Sequence, residues 1–235
     1  MKYKAVLFDL DGTLLPMDTD GFANIYFKTL AADLAKVGYE PKGFINAILK
    51  CVNEMAHNDG SRTNEEVFWS SFCEIYGEKA KDDIPTFDNY YKTSFDKVKE
   101  CCGFSEYSAK IVSLLNQKGI KVIIATNPLF PKIAIDKRIA WAGIDKNQID
   151  YMTTYENSSY CKPKPEYYEE ILCKNGLAPN ECLMVGNDVR EDMAAAKTGI
   201  DTFLLTDCLI NRENIDTKQF LQGNFQKLYE KIQKL

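Results

Sequence analysis

Four apolar residues, Ala5-Val6-Leu7-Phe8, run straight into Asp9-Leu10-Asp11-Gly12-Thr13. No polar residue interrupts the run, so it reads as a strand buried on both faces, the kind found in parallel sheets covered by helices. Asp9 then falls at the carboxyl end of that strand, where open α/β sheets bind ligands. Asp11, two residues on, points the same way if strand geometry persists. Gly12 lets the chain turn away at once and lets backbone approach a ligand. Two carboxylates at one strand tip repel each other and need a compensating cation, and a hard divalent ion such as Mg²⁺ suits oxygen donors. Asp and Gly also make ordinary turns for purely local reasons. The remainder of the chain decides between the two readings.

From residue 105 onward, helical and strand patterns alternate. Helices are expected to end at Gly119, over 131–142, over 165–175, over 189–198 and over 218–235. Strands are expected over 120–125, 149–153, 182–185 and 202–205. Such alternation predicts a doubly wound, Rossmann-like parallel sheet in an α/β fold. Residues 15–104 differ, with no strand pattern. Phe22, Ile25, Tyr26, Leu30, Leu34 and Val37 recur at helical spacing up to Gly38, and Pro41 opens a second helix. Thr63-Asn64-Glu65-Glu66 is a capping box ahead of a third. Phe87, Tyr90, Tyr91, Phe95 and Val98 mark a fourth. The expected organisation is a core built from 1–14 and 105–235 with a helical insert over 15–104.

Charge and cysteine usage narrow the function classes. With 29 basic and 34 acidic residues the net charge is −5, which gives no basic footprint for nucleic acid or an anionic membrane. An anionic substrate therefore needs a local positive site. No stretch approaches the roughly 20 apolar residues of a membrane span, and the first apolar run is too short for a secretory signal. The eight cysteines form no Cys-x-x-Cys pair, and His57 is the single histidine, so a zinc site is poorly supported. Reduced thiols of a cytoplasmic protein are expected. In that compartment the acceptor pattern Asn157-Ser158-Ser159 stays unglycosylated. His57 is expected on the surface, and Trp69 and Trp141 in the core.

Three further strand ends carry reactive residue types. Thr126-Asn127 could receive phosphate oxygens, or make a plain turn. In Lys162-Pro163-Lys164-Pro165 the prolines stiffen the chain around a lysine that could neutralise anionic groups, or lie solvated. In Gly186-Asn187-Asp188-Val189-Arg190-Glu191-Asp192 an acid could complete a metal shell, while Asp188 and Asp192 could equally cap a helix.

In this order, at successive strand ends, these segments resemble the haloacid dehalogenase (HAD) superfamily of hydrolases. Asp9-Leu10-Asp11-Gly12-Thr13 looks like the first motif of that family and Thr126 like the second. Lys162-Pro163-Lys164-Pro165 looks like the third, and 186–192 like the acidic fourth. A helical segment between the first two motifs is similar to the cap of the family's C1 branch. One departure stands out: Asn187 occupies the place where the fourth motif commonly has its first acid, and Asp188 follows.

The resemblance implies a Mg²⁺-dependent phosphatase acting on a small phosphorylated metabolite. In it Asp9 is the nucleophile that forms an aspartyl-phosphate, and Asp11 is the general acid and base. Lys162, Thr126, Gly12 and Asn127 hold the phosphoryl group. Asp9, the Asp11 carbonyl and Asp188 bind the metal. Asn187 is the alternative ligand and Asp192 a support behind Lys162. A phosphomutase that returns the phosphoryl group to a sugar, or a silent binding protein of the same fold, are the alternatives. The presence of Asp11 argues against dehalogenation, because halide needs no proton.

Overall fold

The computed structural model describes residues 2–235. The first strand, β1 (Ala5–Phe8), is buried at all four positions. Val6 and Phe8 face one apolar core and Ala5 and Leu7 another, which is why the run contains no polar residue. Around it assemble β2 (Lys121–Ile124), β3 (Tyr151–Met152), β4 (Cys182–Gly186), β5 (Asp201–Leu205) and β6 (Gln222–Gly223). All pairings are parallel and the order is β3-β2-β1-β4-β5-β6. β1 thus lies between β2 and β4, where the strand order reverses and a crevice opens at the carboxyl ends.

Between β1 and β2 every element is helical: α1 (Thr19–Leu34), α2 (Pro41–Ala56), α3 (Asn64–Tyr76), α4 (Ile84–Lys92), short 3₁₀ turns, and α5 (Glu106–Gln117), which packs on the sheet. The expected signals operate as drawn. Pro41 opens α2. In α3 the Thr63 hydroxyl accepts from the Glu66 N–H at 3.3 Å, while the Glu66 carboxylate accepts from the Thr63 N–H at 2.9 Å. Helices α1–α4 enclose an aromatic core of their own. A hydrogen-bonded seam also ties them to the sheet unit. Asn64, fully buried, donates to the Pro128 carbonyl at 3.1 Å, and Lys164 donates to the Asn58 carbonyl at 2.7 Å.

After β2 come α6 (Lys132–Trp141), α7 (Pro165–Asn175) and α8 (Phe225–Gln233). Three expectations need correcting. The helix expected over 189–198 is a turn and then a 3₁₀ segment, Met193–Thr198. There Asp188 Oδ1 accepts from the N–H groups of Arg190 and Glu191, a local bond that competes with helix. The terminal helix begins at Phe225, because Gln222–Gly223 pairs with β5 as a sixth strand and Asn224 caps α8. The fourth insert helix stops at Lys92, where the Thr93 hydroxyl donates back to the Asn89 carbonyl at 2.7 Å and a 3₁₀ segment takes over. Trp69 is buried, Trp141 half-buried between two cores, and His57 exposed. All eight cysteines carry free thiols. Among the described residues no helix is long and apolar enough to cross a membrane.

Candidate active site

The carboxyl ends of β1, β2 and β4 surround a cavity of about 200 Å³. Asp9, Asp11, Thr126, Asn127, Asn187, Asp188 and Asp192 all line it. Residues far apart in sequence meet here because each comes just after a central strand of one parallel sheet. Lys162 and Gly12 stand just behind the wall.

Asp9 is fixed by its backbone and by Lys162. Its N–H continues the ladder to the Val185 carbonyl at 2.9 Å, and Oδ1 accepts from Lys162 Nζ at 2.8 Å. The same ammonium donates to Asp192 Oδ1 at 2.7 Å, and Asp192 Oδ2 accepts the Asp188 N–H at 2.9 Å. Burial by itself would lower the Lys162 pKa, but Asp192 and Asp9 outweigh it and hold the ammonium well above its ordinary value. Lys162 is therefore cationic, with one of its three N–H donors left over. Gly186, before the fourth loop, has to be glycine, since a Cβ there would lie 2.1 Å from the Asp192 carboxylate.

Asp11 does not follow Asp9. The chain leaves strand geometry after Leu10, whose carbonyl accepts from Thr13 and Leu15 N–H groups. Asp11 Oδ2 turns instead to Nη1 of Arg138, a fully buried residue of α6. Burial raises the Asp11 pKa, against the pull of the guanidinium. Asp11 Oδ1 and Arg138 Nη2 are buried with no hydrogen-bond partner.

The fourth loop divides its two candidates. Asn187 is buried and both ends of its amide are used: Oδ1 accepts from the Thr13 hydroxyl at 2.9 Å and Nδ2 donates to the Cys208 carbonyl at 2.7 Å. It rests directly on Gly12, where φ is +80° and a Cβ would come within 2.4 Å of Nδ2. Asp188 is half-buried; Oδ1 holds the turn and Oδ2 remains.

Sequence reasoning missed several residues here. Arg138 left one signal: it lies four residues after Ala134 on a buried stripe otherwise made of Ala134, Ile135 and Ile139. Tyr167 and Tyr168 brace the site from α7, the first donating to the Thr126 carbonyl at 2.8 Å and the second to the Glu191 carbonyl at 2.7 Å. Glu191, inside the acidic 186–192 segment, also lines the wall, as do Thr19, Ile210 and the exposed Arg212, which nothing in sequence marks.

Charge decides what the site can accept. In and just behind the wall stand five carboxyl groups (Asp9, Asp11, Asp188, Glu191, Asp192) against three cations (Lys162, Arg138, Arg212), a formal net of −2 with every group ionised, although burial raises the pKa of Asp11, Glu191 and Asp192. A phosphate dianion entering this field needs further positive charge. Among the described residues no three acidic, histidine or cysteine side chains cluster as a metal cage. Two carboxylates, on Asp9 and Asp188, nevertheless line one cavity with an oxygen each to spare. That donor set fits Mg²⁺, which takes one or two carboxylates and keeps several waters.

Comparison with known proteins agrees with this architecture. Residues 3–199 match the model of a haloacid dehalogenase-like hydrolase family. Among curated proteins, the pyrophosphatase PpaX of Bacillus cereus is 24% identical over 203 residues, covering 86% of this chain and 82% of that protein. The glyceraldehyde 3-phosphate phosphatase of Methanothermobacter thermautotrophicus is 25% identical over 212 residues, covering 89% and 88%. Of solved structures, a HAD phosphatase from Thermococcus onnurineus superposes with a TM-score of 0.59 at 18% identity, covering 97% of both chains. YfnB of Bacillus subtilis, solved bound to magnesium, gives 0.56 at 19% identity with 99% coverage of both. At such identities the structural likeness speaks for the fold.

Proposed function

The chain belongs to the haloacid dehalogenase-like hydrolase family, and from that premise we propose that it is a Mg²⁺-dependent phosphatase of small phosphorylated metabolites working through an aspartyl-phosphate. The observation that carries the proposal is the pairing at the tip of β1. Asp9 is clamped by a buried ammonium, and Asp11, two residues on, is held separately by a buried guanidinium beside the same cavity.

Each residue then has a task. The Asp9 carboxylate attacks phosphorus, and the bond from phosphorus to the leaving oxygen breaks. Asp11, whose burial favours the protonated form, gives that oxygen its proton and afterwards takes one from the water that cleaves the acyl phosphate. Lys162, through its remaining N–H, and Thr126 and Asn127 hold the transferring oxygens, while Gly12 leaves room for Asn187 behind them. Asp9, Asp188 and the Asp11 carbonyl would hold Mg²⁺, which supplies positive charge against the phosphoryl oxygens. Asp192 keeps Lys162 in place. The helical segment 15–104 acts as a cap domain over the core 1–14 and 105–235, excludes water and selects the substrate.

The named activities of the relatives, on pyrophosphate and on a phosphate monoester, support transfer of a phosphoryl group to water. Eight free thiols fit a cytoplasmic setting. The test is release of inorganic phosphate from an aryl phosphate with and without Mg²⁺, by wild type and Asp9→Asn. Turnover should require the metal and vanish in a folded Asp9→Asn protein, because an amide is a very poor nucleophile. Near-normal turnover in that variant would sink the covalent route.

A further inference from the structure

A second cavity, of about 190 Å³, adjoins the first between the insert and the sheet unit. Leu129 and Phe130 line both. Its other walls are almost entirely aromatic and aliphatic: Phe22, Tyr26, Val52, Trp69, Phe87 and Tyr155 are representative. It contains no cationic residue, and its one charged residue is the acid Asp88. The Tyr26 and Tyr91 hydroxyls bond to each other at 2.9 Å, which uses part of their polarity.

Phe130 is the partition. Its ring stands 5.2 Å from that of Tyr26 and 5.9 Å from that of Phe22 on the apolar side. Its centroid also lies 4.5 Å from Cζ of Arg138, the partner of Asp11. A molecule with its phosphoryl group beside Asp9 can therefore bring its organic part onto a predominantly apolar surface by passing Leu129 and Phe130. An anion would not settle in the second cavity, because nothing there offsets its charge. Nor would a polyhydroxylated sugar, most of whose hydroxyls would lose water against a wall whose polar groups are few, chiefly Trp69 Nε1, the tyrosine hydroxyls and Asp88. By size, an apolar cavity of roughly 150 Å³ already accepts a benzene ring.

We propose that the substrate is a phosphate monoester of an apolar alcohol, an aromatic ring or short alkyl chain that lodges in this second cavity. The proposal rests on the phosphatase reading and sharpens it, since pyrophosphate and sugar phosphates have no part that fits.

Two measurements separate the proposal from the reading beneath it. The first is kcat/KM for n-alkyl phosphates from methyl to octyl, whose alcohols differ little as leaving groups, with glucose 6-phosphate as the polar control. A rise of about fourfold per methylene is expected, levelling off at about six carbons. The second is calorimetric binding of 1-hexanol, which needs no turnover, to wild type and to Val52→Trp, which fills the cavity. Binding by wild type and its loss in the variant are expected. A flat alkyl series, or preference for glucose 6-phosphate, overturns the apolar substrate and leaves the phosphatase intact. Hexanol binding of the expected pattern without hydrolysis of any ester overturns the phosphatase and upholds the apolar site. Absence of hexanol binding to wild type overturns the site itself.

Discussion

Lys162 and Arg138 are both buried cations, each 1% exposed at the side chain, and each meets one acid of the first motif. Their surroundings differ. Lys162 stands between two carboxylates, Asp9 and Asp192, and one of these is anchored in turn by the Asp188 N–H. Arg138 has the single carboxylate of Asp11, a bond from Nε to the Ala134 carbonyl of its own helix at 3.2 Å, and an Nη2 without a partner. The first arrangement is over-determined and the second is not. A nucleophile has to be aimed and still, whereas a proton carrier has to exchange its proton and meet two different oxygens in turn. The difference between the two cations matches the difference between those tasks.

The comparison breaks most severely at Lys162. In Lys162→Met the buried carboxylates of Asp9 and Asp192 lose the cation between them, and removal of one member of such a buried group costs about 3–5 kcal/mol. Chemical denaturation should register that loss, and phosphate release should fall to background. Lower pH should restore part of the stability by protonating a carboxylate. A variant as stable as wild type would mean that Lys162 holds nothing together.

Next comes Asp11→Asn, which removes the proposed proton carrier and leaves Arg138 without its counter-ion. Loss of general acid–base catalysis is worth about 10²–10⁴-fold. The deficit should be smallest with an activated aryl phosphate, whose leaving group needs little protonation. Equal deficits across leaving groups would remove Asp11 from that role.

Arg138→Met tests the looser member directly, and a fall of about 10–100-fold is expected from misplacement of Asp11. The pH profile carries more information. Burial raises the Asp11 pKa and Arg138 opposes the rise, so without the guanidinium it climbs further. In the proposed mechanism the leaving-group step uses protonated Asp11, and the alkaline limb of kcat/KM should therefore move to higher pH. A purely structural Arg138 would lower the rate equally at all pH values.

These two cations also show what sequence makes legible. Lys162 could be read because prolines on a short loop isolate it from any helix or strand pattern. Asp9, Asp11, Thr126 and the fourth loop could be read because each interrupts an apolar run at its carboxyl end, which a parallel sheet converts into nearness. Arg138 lies inside a helix whose pattern is otherwise apolar, and its partner is 127 residues away. Nothing local says that a charge on a core stripe is paired rather than pointing outward. The helix expected over 189–198 failed for a related reason. Its residues favour helix, but the Asp188 side chain captures two backbone N–H groups and Asp192 is drawn inward to Lys162. Strand β6, of two residues, is too short to leave a pattern.

The smallest effect is expected at the fourth loop, where the contrast between committed and available groups recurs in adjacent residues. Asn187 spends its amide on Thr13 and Cys208 and fills the space over Gly12. Replacing it by Ala leaves the Thr13 hydroxyl and the Cys208 carbonyl without partners, a cost of about 1–3 kcal/mol in stability. Its amide oxygen, already engaged and uncharged, adds little for a hard cation. Asp188 uses one oxygen for its turn and keeps the other beside the cavity. Asp188→Ala should therefore weaken Mg²⁺ by about tenfold, or 1.4 kcal/mol, with waters taking the vacated position as Mg²⁺ readily permits. Titration of both variants with Mg²⁺, monitored calorimetrically without substrate, decides the matter. Loss of Mg²⁺ affinity in Asn187→Ala with none in Asp188→Ala would place the ligand by its position after the strand and not by its charge.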